Sequence, residues 1–161
     1  MPEKPDPRIR VRDIRVTDAG EVMTLQRAAF VDEARIYESV HLPAFSETLE
    51  QVRADLAENL GCVALVGERL VGAVRAKVSA ALLLVGRISI APDLQGHGIG
   101  SAILEACEAR GRAAGCTAAE LFTGSLSEAN LRLYERLGYA ESERVPQGDG
   151  IDEVYLRKSL R

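Results

Sequence analysis

The sequence predicts a mixed-sheet α/β domain with helices on both faces of the sheet. Apolar residues alternate or run continuously in about seven short segments, as in strands, and recur at helical spacing in about four others. The predicted order is βααββ, then βαβα, then ββ, without internal repeats. With 161 residues, 47% of them hydrophobic, the chain is long enough to bury a core without disulfides or a structural metal.

The chain is expected to begin with a lead and a strand. Residues 1–7 are rich in proline and charge and are expected to form a disordered lead. The folded part is therefore expected to be a single domain over residues 8–161. Residues 8–16 alternate apolar side chains with arginines and aspartate, which is the period of a half-buried strand.

Two helices are predicted next, with an irregular stretch between them. Asp18, with an acid three residues later, resembles a capping box and opens a helix that continues to about Val31. Residues 32–47 show no clear period and are expected to be irregular. Thr48 opens the second helix, which Gly61 ends.

The middle of the chain is expected to supply three neighbouring strands. Residues 62–66 and 70–78 flank a turn that contains glycine, which predicts a hairpin. Residues 82–90 form a nearly continuous apolar run. Such a run is typical of a central strand that is buried on both faces.

The last third of the chain alternates helices with strands and ends in a hairpin. Helices are predicted over residues 98–113 and 127–137, with a strand over 118–123 between them. Two further strands, over 139–145 and 151–158, are expected to pair across a turn that contains two glycines.

Composition disfavours several classes of function. The net charge is −4, from 20 basic and 24 acidic residues, so a broad basic face for nucleic acid is not expected. No apolar run reaches the roughly 18 residues that a membrane span needs, and the first ten residues lack the apolar core of a signal peptide. The three cysteines show no metal-ligand spacing, which favours buried thiols in a cytoplasmic protein without a metal site.

A glycine-dense turn, Gln95 to Ser101, is the most informative stretch. It joins the apolar strand to the next helix and has glycines at positions 96, 98 and 100. Glycine permits positive φ and close approach of a ligand, and the free amides of a helix N-terminus favour phosphate. The turn alone is equally consistent with a tight strand-to-helix connection that binds nothing.

Two common phosphate loops fit this turn poorly. A Walker loop requires a lysine and a hydroxyl after its last glycine, but Gly100 is followed by Ser101 and alanine. A Rossmann fingerprint requires G-x-G-x-x-G in the first strand–helix unit, and here the spacing differs and the turn lies past mid-chain.

Two motifs resemble those of the GNAT superfamily of N-acetyltransferases. Gln95-x-x-Gly98-x-Gly100, after a strand that ends Ile-Ser-Ile-Ala-Pro, is similar to that family's acetyl-CoA signature. The run from Asn130 to Tyr139, Asn-Leu-Arg-Leu-Tyr-Glu-Arg-Leu-Gly-Tyr, is similar to its later helix-and-strand motif. The resemblance implies a mostly antiparallel sheet of about seven strands and about four helices, splayed between its central strands.

The resemblance also implies where acetyl-CoA binds. The pantetheine arm is expected in the opening between the two splayed strands, where it pairs with the backbone of Ile88, Ser89 and Ile90. The pyrophosphate is expected on the backbone amides of the turn, with Asn130 and Tyr134 as further contacts. The turn residues are Gln95, Gly96, His97, Gly98, Ile99, Gly100 and Ser101. The His97 side chain itself is expected to face solvent.

For chemistry, the resemblance implies direct attack of an amine on the thioester, so no covalent nucleophile is expected. Tyr134 lies one helical turn after Asn130 and matches the family tyrosine that donates a hydrogen bond to the departing thiolate. The general base remains open at this point. Glu120 matches a strand position used in some relatives, and Glu33 lies in the stretch that resembles the family's substrate-covering loop.

Glu38 and His41 lie in that same stretch and are further candidates for the base. The stretch is also acidic, since residues 31–60 contain seven acids and two bases. If some of these carboxylates face the cleft, they favour a cationic amine.

The sequence therefore predicts an acetyl-CoA-dependent N-acetyltransferase acting on a primary amine of a small molecule or a peptide. A noncatalytic acyl-CoA-binding regulator is the first alternative, and a phosphate- or nucleotide-binding module is the second. A homodimer is possible through exposed sheet edges. The identity of the acceptor is not predicted.

Overall fold

A computed structural model describes residues 6–161, which form one seven-stranded sheet with helices packed on its two faces. The spatial order of the strands is β1-β2-β3-β4-β5-β7-β6. The strands are β1 (Ile9–Asp13), β2 (Leu60–Val66), β3 (Arg69–Ser79), β4 (Leu82–Ile90), β5 (Ala118–Gly124), β6 (Ala140–Gly148) and β7 (Ile151–Ser159). The helices are α1 (Ala19–Ala29), α2 (Val31–Ile36), α3 (Pro43–Ser46), α4 (Leu49–Glu58), α5 (Ile99–Ala113) and α6 (Glu128–Arg136).

The predicted fold class is confirmed, with corrections at the start of the chain. Residues 32–47, expected to be irregular, contain most of α2 and all of α3, which are six and four residues long. Helices of one or two turns are too short to show a repeating apolar period. The first strand is also shorter than predicted, because β1 ends at Asp13. Residues 1–5 of the expected lead lie outside the described residues.

Helices α1 and α5 pack on opposite faces of β3, and the core lies between them and the sheet. A Cβ built on Gly72 would meet Ile99 of α5, whereas Arg75 bonds to Gln26 of α1. Successive side chains of a strand point to opposite faces, which is consistent with this arrangement. Helix α4 packs against α1.

The longest buried run of the sheet lies in β3, not in the predicted β4. Residues 70–76 of β3 are all buried, while β4 is only half-buried from Gly86 to Ile88. The apolar run of β4 was correctly assigned to a strand, but its second half lines an opening in the sheet rather than the core.

That opening arises because β4 and β5, which are the one parallel pair among the strands of residues 6–161, separate after three residue pairs. Pairing begins at Leu82 and Ala118 and ends at Leu84 and Glu120. The β3–β4 ladder contains an irregularity opposite Arg87, whose φ of +52° is in the left-handed region. A bulge of this kind bends its strand. The predicted splay between the central strands is therefore present.

Candidate active site

A cleft of about 1600 Å³ occupies the opening between β4 and β5. The β4 bulge, the turn at residues 94–101 and the first turn of α5 line one side of it. Helix α6 lines the other side, and residues 31–47, here named the covering segment, lie at its mouth. The cleft thus brings together parts of the chain that are far apart in sequence.

The free edge of β4 faces this cleft. The amide of Ala91 donates to the carbonyl of Val71 at 2.8 Å, so the backbone of Ala91 faces β3. Backbone groups of successive strand residues point to alternate edges, so the N–H and C=O of Ile90 face the cleft. Ile88 and Ile90 both line it. Ser89 lies two residues before Ala91, so its backbone groups also face β3, and its side chain is buried; of the three predicted β4 residues it is the one directed away from the cleft.

The glycine turn has the geometry of an anion site. Gly96 and Gly98 have φ of +81° and +79°, and Gly98 caps the N-terminus of α5. The first intrahelical bond runs from Ala102 N to Gly98 O, so the amides of the preceding residues have no acceptor within the helix. A Cβ added at Gly100 would lie 3.1 Å from Ile90 Cδ1, so a larger residue would narrow the cleft.

Six of the seven predicted turn residues line the cleft: Gln95, Gly96, Gly98, Ile99, Gly100 and Ser101. His97 is different. Its side chain lines a separate pocket of about 180 Å³ together with Asp6, Arg8 and Arg69. We therefore expect only the backbone of His97, and not its side chain, to contact a ligand in the main cleft.

Tyr134 of α6 lies in the wall of the cleft with only 6% of its surface exposed. Among the described residues, its hydroxyl has no hydrogen-bond partner. Burial raises the pKa of Tyr134, and the negative charge of Glu33 raises it further. The phenol therefore stays protonated across the physiological range. Tyr139 supports the ring from behind in an edge contact with a centroid distance of 6.3 Å.

Glu33 of α2 is the predicted base candidate that the fold brings to Tyr134 and Asn130. One carboxylate oxygen accepts from Asn130 Nδ2 at 3.0 Å, and the other accepts from Ser127 Oγ at 2.8 Å. Glu33, Asn130 and Tyr134 all line the cleft. Each carboxylate oxygen keeps a further lone pair that a ligand can use.

The other three base candidates do not line the cleft. Glu120 lies at the last position of β5 that pairs with β4, and its carboxylate accepts from Arg157 Nε at 2.7 Å. Its strand was predicted correctly, but the neighbouring strand β7 supplies a partner that uses the carboxylate. Glu38 and His41 are exposed residues of the covering segment.

A buried ion network beside the cleft was not predicted. Glu47 accepts from Gln26, Arg75 and Arg87 at distances of 2.5–3.1 Å, and Arg75 is 5% exposed. Burial raises the pKa of Glu47, but the hydrogen bonds from Arg75, Arg87 and Gln26 outweigh it and lower the pKa to about 2. The only hint in the sequence is Arg75 itself, an arginine within the apolar run of β3. Asp55 is the second carboxylate that accepts a hydrogen bond from Arg75.

The acids at the mouth of the cleft come from two separate segments. Of the seven acids in residues 31–60, only Asp32 and Glu33 line it. Asp152 and Glu153 of β7 supply two more, which sequence reasoning missed. Phe122 is 55% exposed and adds an aromatic surface at the same place. The lining therefore carries four acids and an exposed aromatic ring, against three arginines, Arg35, Arg87 and Arg136, of which Arg87 binds Glu47.

None of the helices within residues 6–161 is long and apolar enough to cross a bilayer. That part of the chain also contains no cluster of three or more histidine, cysteine or acidic side chains arranged to hold a metal ion. The three cysteines are buried and unpaired.

A family model described as "Acetyltransferase (GNAT) family" matches residues 25–139, which is more than half of the chain. The chain therefore belongs to the GNAT acetyltransferase family. It is an acetyltransferase domain, and the family uses acetyl-CoA as cosubstrate. No curated protein matches the sequence.

Solved structures show the same fold at low sequence identity. The PaiA N-acetyltransferase from Thermoplasma acidophilum in complex with coenzyme A superposes with a TM-score of 0.76 at 17% identity, covering 94% of this chain and 98% of that one. The ribosomal-protein-S18-alanine N-acetyltransferase from Escherichia coli gives 0.76 at 18%, covering 94% of both chains. YncA, a putative acetyltransferase from Salmonella typhimurium with acetyl-CoA, gives 0.73 at 15%, covering 95% and 94%.

Proposed function

We propose that this protein transfers the acetyl group of acetyl-CoA to a primary amine by direct attack of the amine on the thioester. One observation carries the proposal. The splayed cleft combines a free strand edge, a turn of unsatisfied amides and a protonated tyrosine hydroxyl that has no hydrogen-bond partner within residues 6–161. These are the groups that would hold the two halves of the cosubstrate and its leaving sulfur.

The cosubstrate is held mainly by backbone. The N–H and C=O groups of Ile88 and Ile90 pair with the amides of the pantetheine arm, as an added strand would. The pyrophosphate lies on the amides of the turn and of the first turn of α5, where the helix dipole favours negative charge. Asn130 lies on the opposite wall and contacts the arm.

Tyr134 stabilises the sulfur as the carbon–sulfur bond breaks. Its raised pKa makes full proton transfer to a thiolate unfavourable, because a thiol has an ordinary pKa of about 8.5. The hydroxyl instead donates a hydrogen bond that strengthens as negative charge develops on sulfur. No cysteine of the chain is needed as a nucleophile, and all three are buried.

Glu33 receives the amine. A lysine-like amine, with a pKa near 10.4, must lose a proton before attack, which costs roughly 4.6 kcal/mol at pH 7. The Glu33 carboxylate accepts a hydrogen bond from the ammonium group and takes its proton, directly or through water. Its two anchoring bonds to Ser127 and Asn130 hold it on the cleft wall near Tyr134.

A cationic acceptor fits the mouth of the cleft best. Asp32, Asp152 and Glu153 supply negative charge there, and Phe122 offers an aromatic face to an alkylammonium group. The acidic covering segment contributes less than its composition suggests, because Glu47 is neutralised by two arginines. We place the protein in the cytoplasm, where three buried thiols remain reduced.

Thiol release from acetyl-CoA in the presence of an amine panel tests this proposal. The panel pairs cationic diamines with neutral-chain monoamines and with peptides that carry a free N-terminus or lysine. Turnover of at least one amine is expected, with cationic amines preferred. Thermal protection by CoA without turnover of any amine would identify a noncatalytic acyl-CoA-binding protein, and the absence of protection would overturn both readings.

A further inference from the structure

A tyrosine that the sequence motifs do not mark crosses the mouth of the cleft. Tyr37 follows α2 and contacts the connection between β5 and α6. Its hydroxyl and Ser127 Oγ are 2.5 Å apart. Ser127 is only 2% exposed, so this contact is closed to solvent. The covering segment is thereby joined to the wall that carries Asn130 and Tyr134.

The number of hydroxyl protons available decides which of Tyr37 and Ser127 donates the hydrogen bond. Ser127 has one hydroxyl proton, and Glu33 is an acceptor when ionised, so Ser127 donates to Glu33 at 2.8 Å. Ser127 must then accept from Tyr37. Burial raises the pKa of Tyr37, so its phenol keeps the proton that it donates. The result is a one-way chain from Tyr37 through Ser127 to the Glu33 carboxylate.

A glycine makes room for this chain. A Cβ added at Gly124 would lie 2.0 Å from the Tyr37 hydroxyl oxygen and 2.4 Å from Cζ. Gly124 does not have a positive φ, so its backbone does not require glycine. A side chain at position 124 would therefore prevent Tyr37 from approaching this closely.

The far end of the covering segment is held independently. Glu47 binds Arg75 and Arg87 on the sheet, and α3 separates it from Tyr37 along the chain. Between these anchors residues 38–41 are mostly exposed, with Val40 at 73%, whereas Ala44 is buried and its carbonyl accepts from Gln26 of α1. Loss of the Tyr37 contact is therefore expected to release Glu33 locally and leave the segment attached at Glu47.

We propose that Tyr37 is a positioning residue for the acceptor side: it orients Ser127, and through Ser127 it directs the Glu33 carboxylate toward the incoming amine. The inference rests on the proposed acetyl transfer to an amine. It assigns to Tyr37, Ser127 and Gly124 a joint role in amine recognition that does not extend to cosubstrate binding.

A double-mutant cycle tests this role. Tyr37→Phe keeps the ring and removes the donor, so kcat/KM for the amine is expected to fall about 10-fold, the size of one hydrogen bond to a charged network. The dissociation constant of CoA should stay within about 2-fold. In a Glu33→Gln background the same substitution should change kcat/KM by less than about 2-fold, because its target is gone. An equal loss in both backgrounds, or no loss in either, would overturn the proposal.

Two further variants separate positioning from general damage. Gly124→Ala should reproduce the loss of Tyr37→Phe by displacing the tyrosine. Ser39→Ala, which removes a hydroxyl bonded to the His41 amide within the same segment, should leave amine kinetics unchanged. Normal activity of Gly124→Ala, or a defect in Ser39→Ala equal to that of Tyr37→Phe, would contradict the assignment.

Hydrogen exchange keeps the test independent of turnover. Amides of residues 31–39 should exchange faster in Tyr37→Phe than in the wild type, while those of α5 stay unchanged. If the wild type acetylates no amine, the proposed function fails, and the exchange result still decides whether Tyr37 holds the segment. Unchanged exchange at residues 31–39 would show that it does not.

Discussion

The cosubstrate side and the acceptor side of the cleft use different chemical groups for recognition. On the cosubstrate side, the backbone provides the recognition: a free strand edge at Ile90 and glycines with positive φ at the helix start. On the acceptor side, ionised side chains from distant segments provide it, as in the bond of Glu33 to Asn130. Changes in backbone geometry should therefore alter coenzyme affinity, and changes in charge should alter amine recognition and stability.

The largest expected effect concerns stability on the acceptor side. Glu47→Gln leaves the buried Arg75 without its main counter-charge, and breaking a buried ion pair in this way costs about 3 kcal/mol. Chemical denaturation should show this loss. Glu50→Gln, an exposed acid on α4, is the matched control and should change stability by less than about 0.5 kcal/mol. Equal stability of the two variants would contradict the network's role.

The same carboxylate predicts a pH dependence. Because the folded-state pKa of Glu47 is about 2, below its ordinary value of 4.5, its contribution to stability is present above pH 4.5. It is lost as the pH falls from 4.5 toward 2, where the folded-state carboxylate becomes protonated. Unfolding measured across that range should give a steeper acid loss for the wild type than for Glu47→Gln. Parallel curves would assign the acid sensitivity to other groups.

The next largest effect is expected on the chemical step, which takes place where the two sides of the cleft meet. Tyr134→Phe removes the donor to the departing sulfur, and kcat should fall about 100-fold, or about 2.7 kcal/mol. CoA affinity should change little, because the hydroxyl acts only as charge develops. Ser142→Ala is the control, since it also removes a hydroxyl, which bonds the carbonyl of Tyr155, and Ser142 does not line the cleft. An unchanged kcat in Tyr134→Phe would remove this tyrosine from the mechanism.

A backbone change should act on the cosubstrate side alone. Gly98→Val forces a β-branched residue toward a φ of +79°, which costs about 1–2 kcal/mol and disturbs the amides of the turn. Calorimetric titration should show CoA binding weakened about 10-fold. Gly115→Val imposes a similar strain at a φ of +89° beyond the far end of α5 and should leave CoA affinity intact. Equal affinity of the two variants would count against the phosphate turn.

The smallest expected effect is a dependence on salt. If Asp32, Asp152 and Glu153 attract the amine, kcat/KM for a cationic acceptor should fall about threefold between low and high ionic strength. A neutral-chain amine of the same length should show less. Salt-insensitive turnover of the cationic amine would leave these acids without a role in recognition.

The two sides also differ in how far they can be predicted from sequence. The order of strands and helices along the chain follows from local periods, and the turn and Tyr134 follow from contiguous motifs that resemble those of the family. Contacts that join distant residues leave no such pattern, so Tyr37 with Ser127 and the Glu47 network were not foreseen. Glu120 illustrates this limit of sequence-based prediction. Its strand was predicted correctly, but its partner Arg157 lies on the neighbouring strand β7 and was not predicted.

The fate of a labelled acetyl group tests the central claim most directly. The protein is mixed with acetyl-CoA labelled in the acetyl carbon and with an amine from the panel, and label is measured in the amine, the protein and the coenzyme over a single turnover. Direct attack predicts that label passes from coenzyme to amine as thiol appears, with none retained on the protein. Label on the protein before it reaches the amine, or label that stays on bound coenzyme with every amine, would contradict the account.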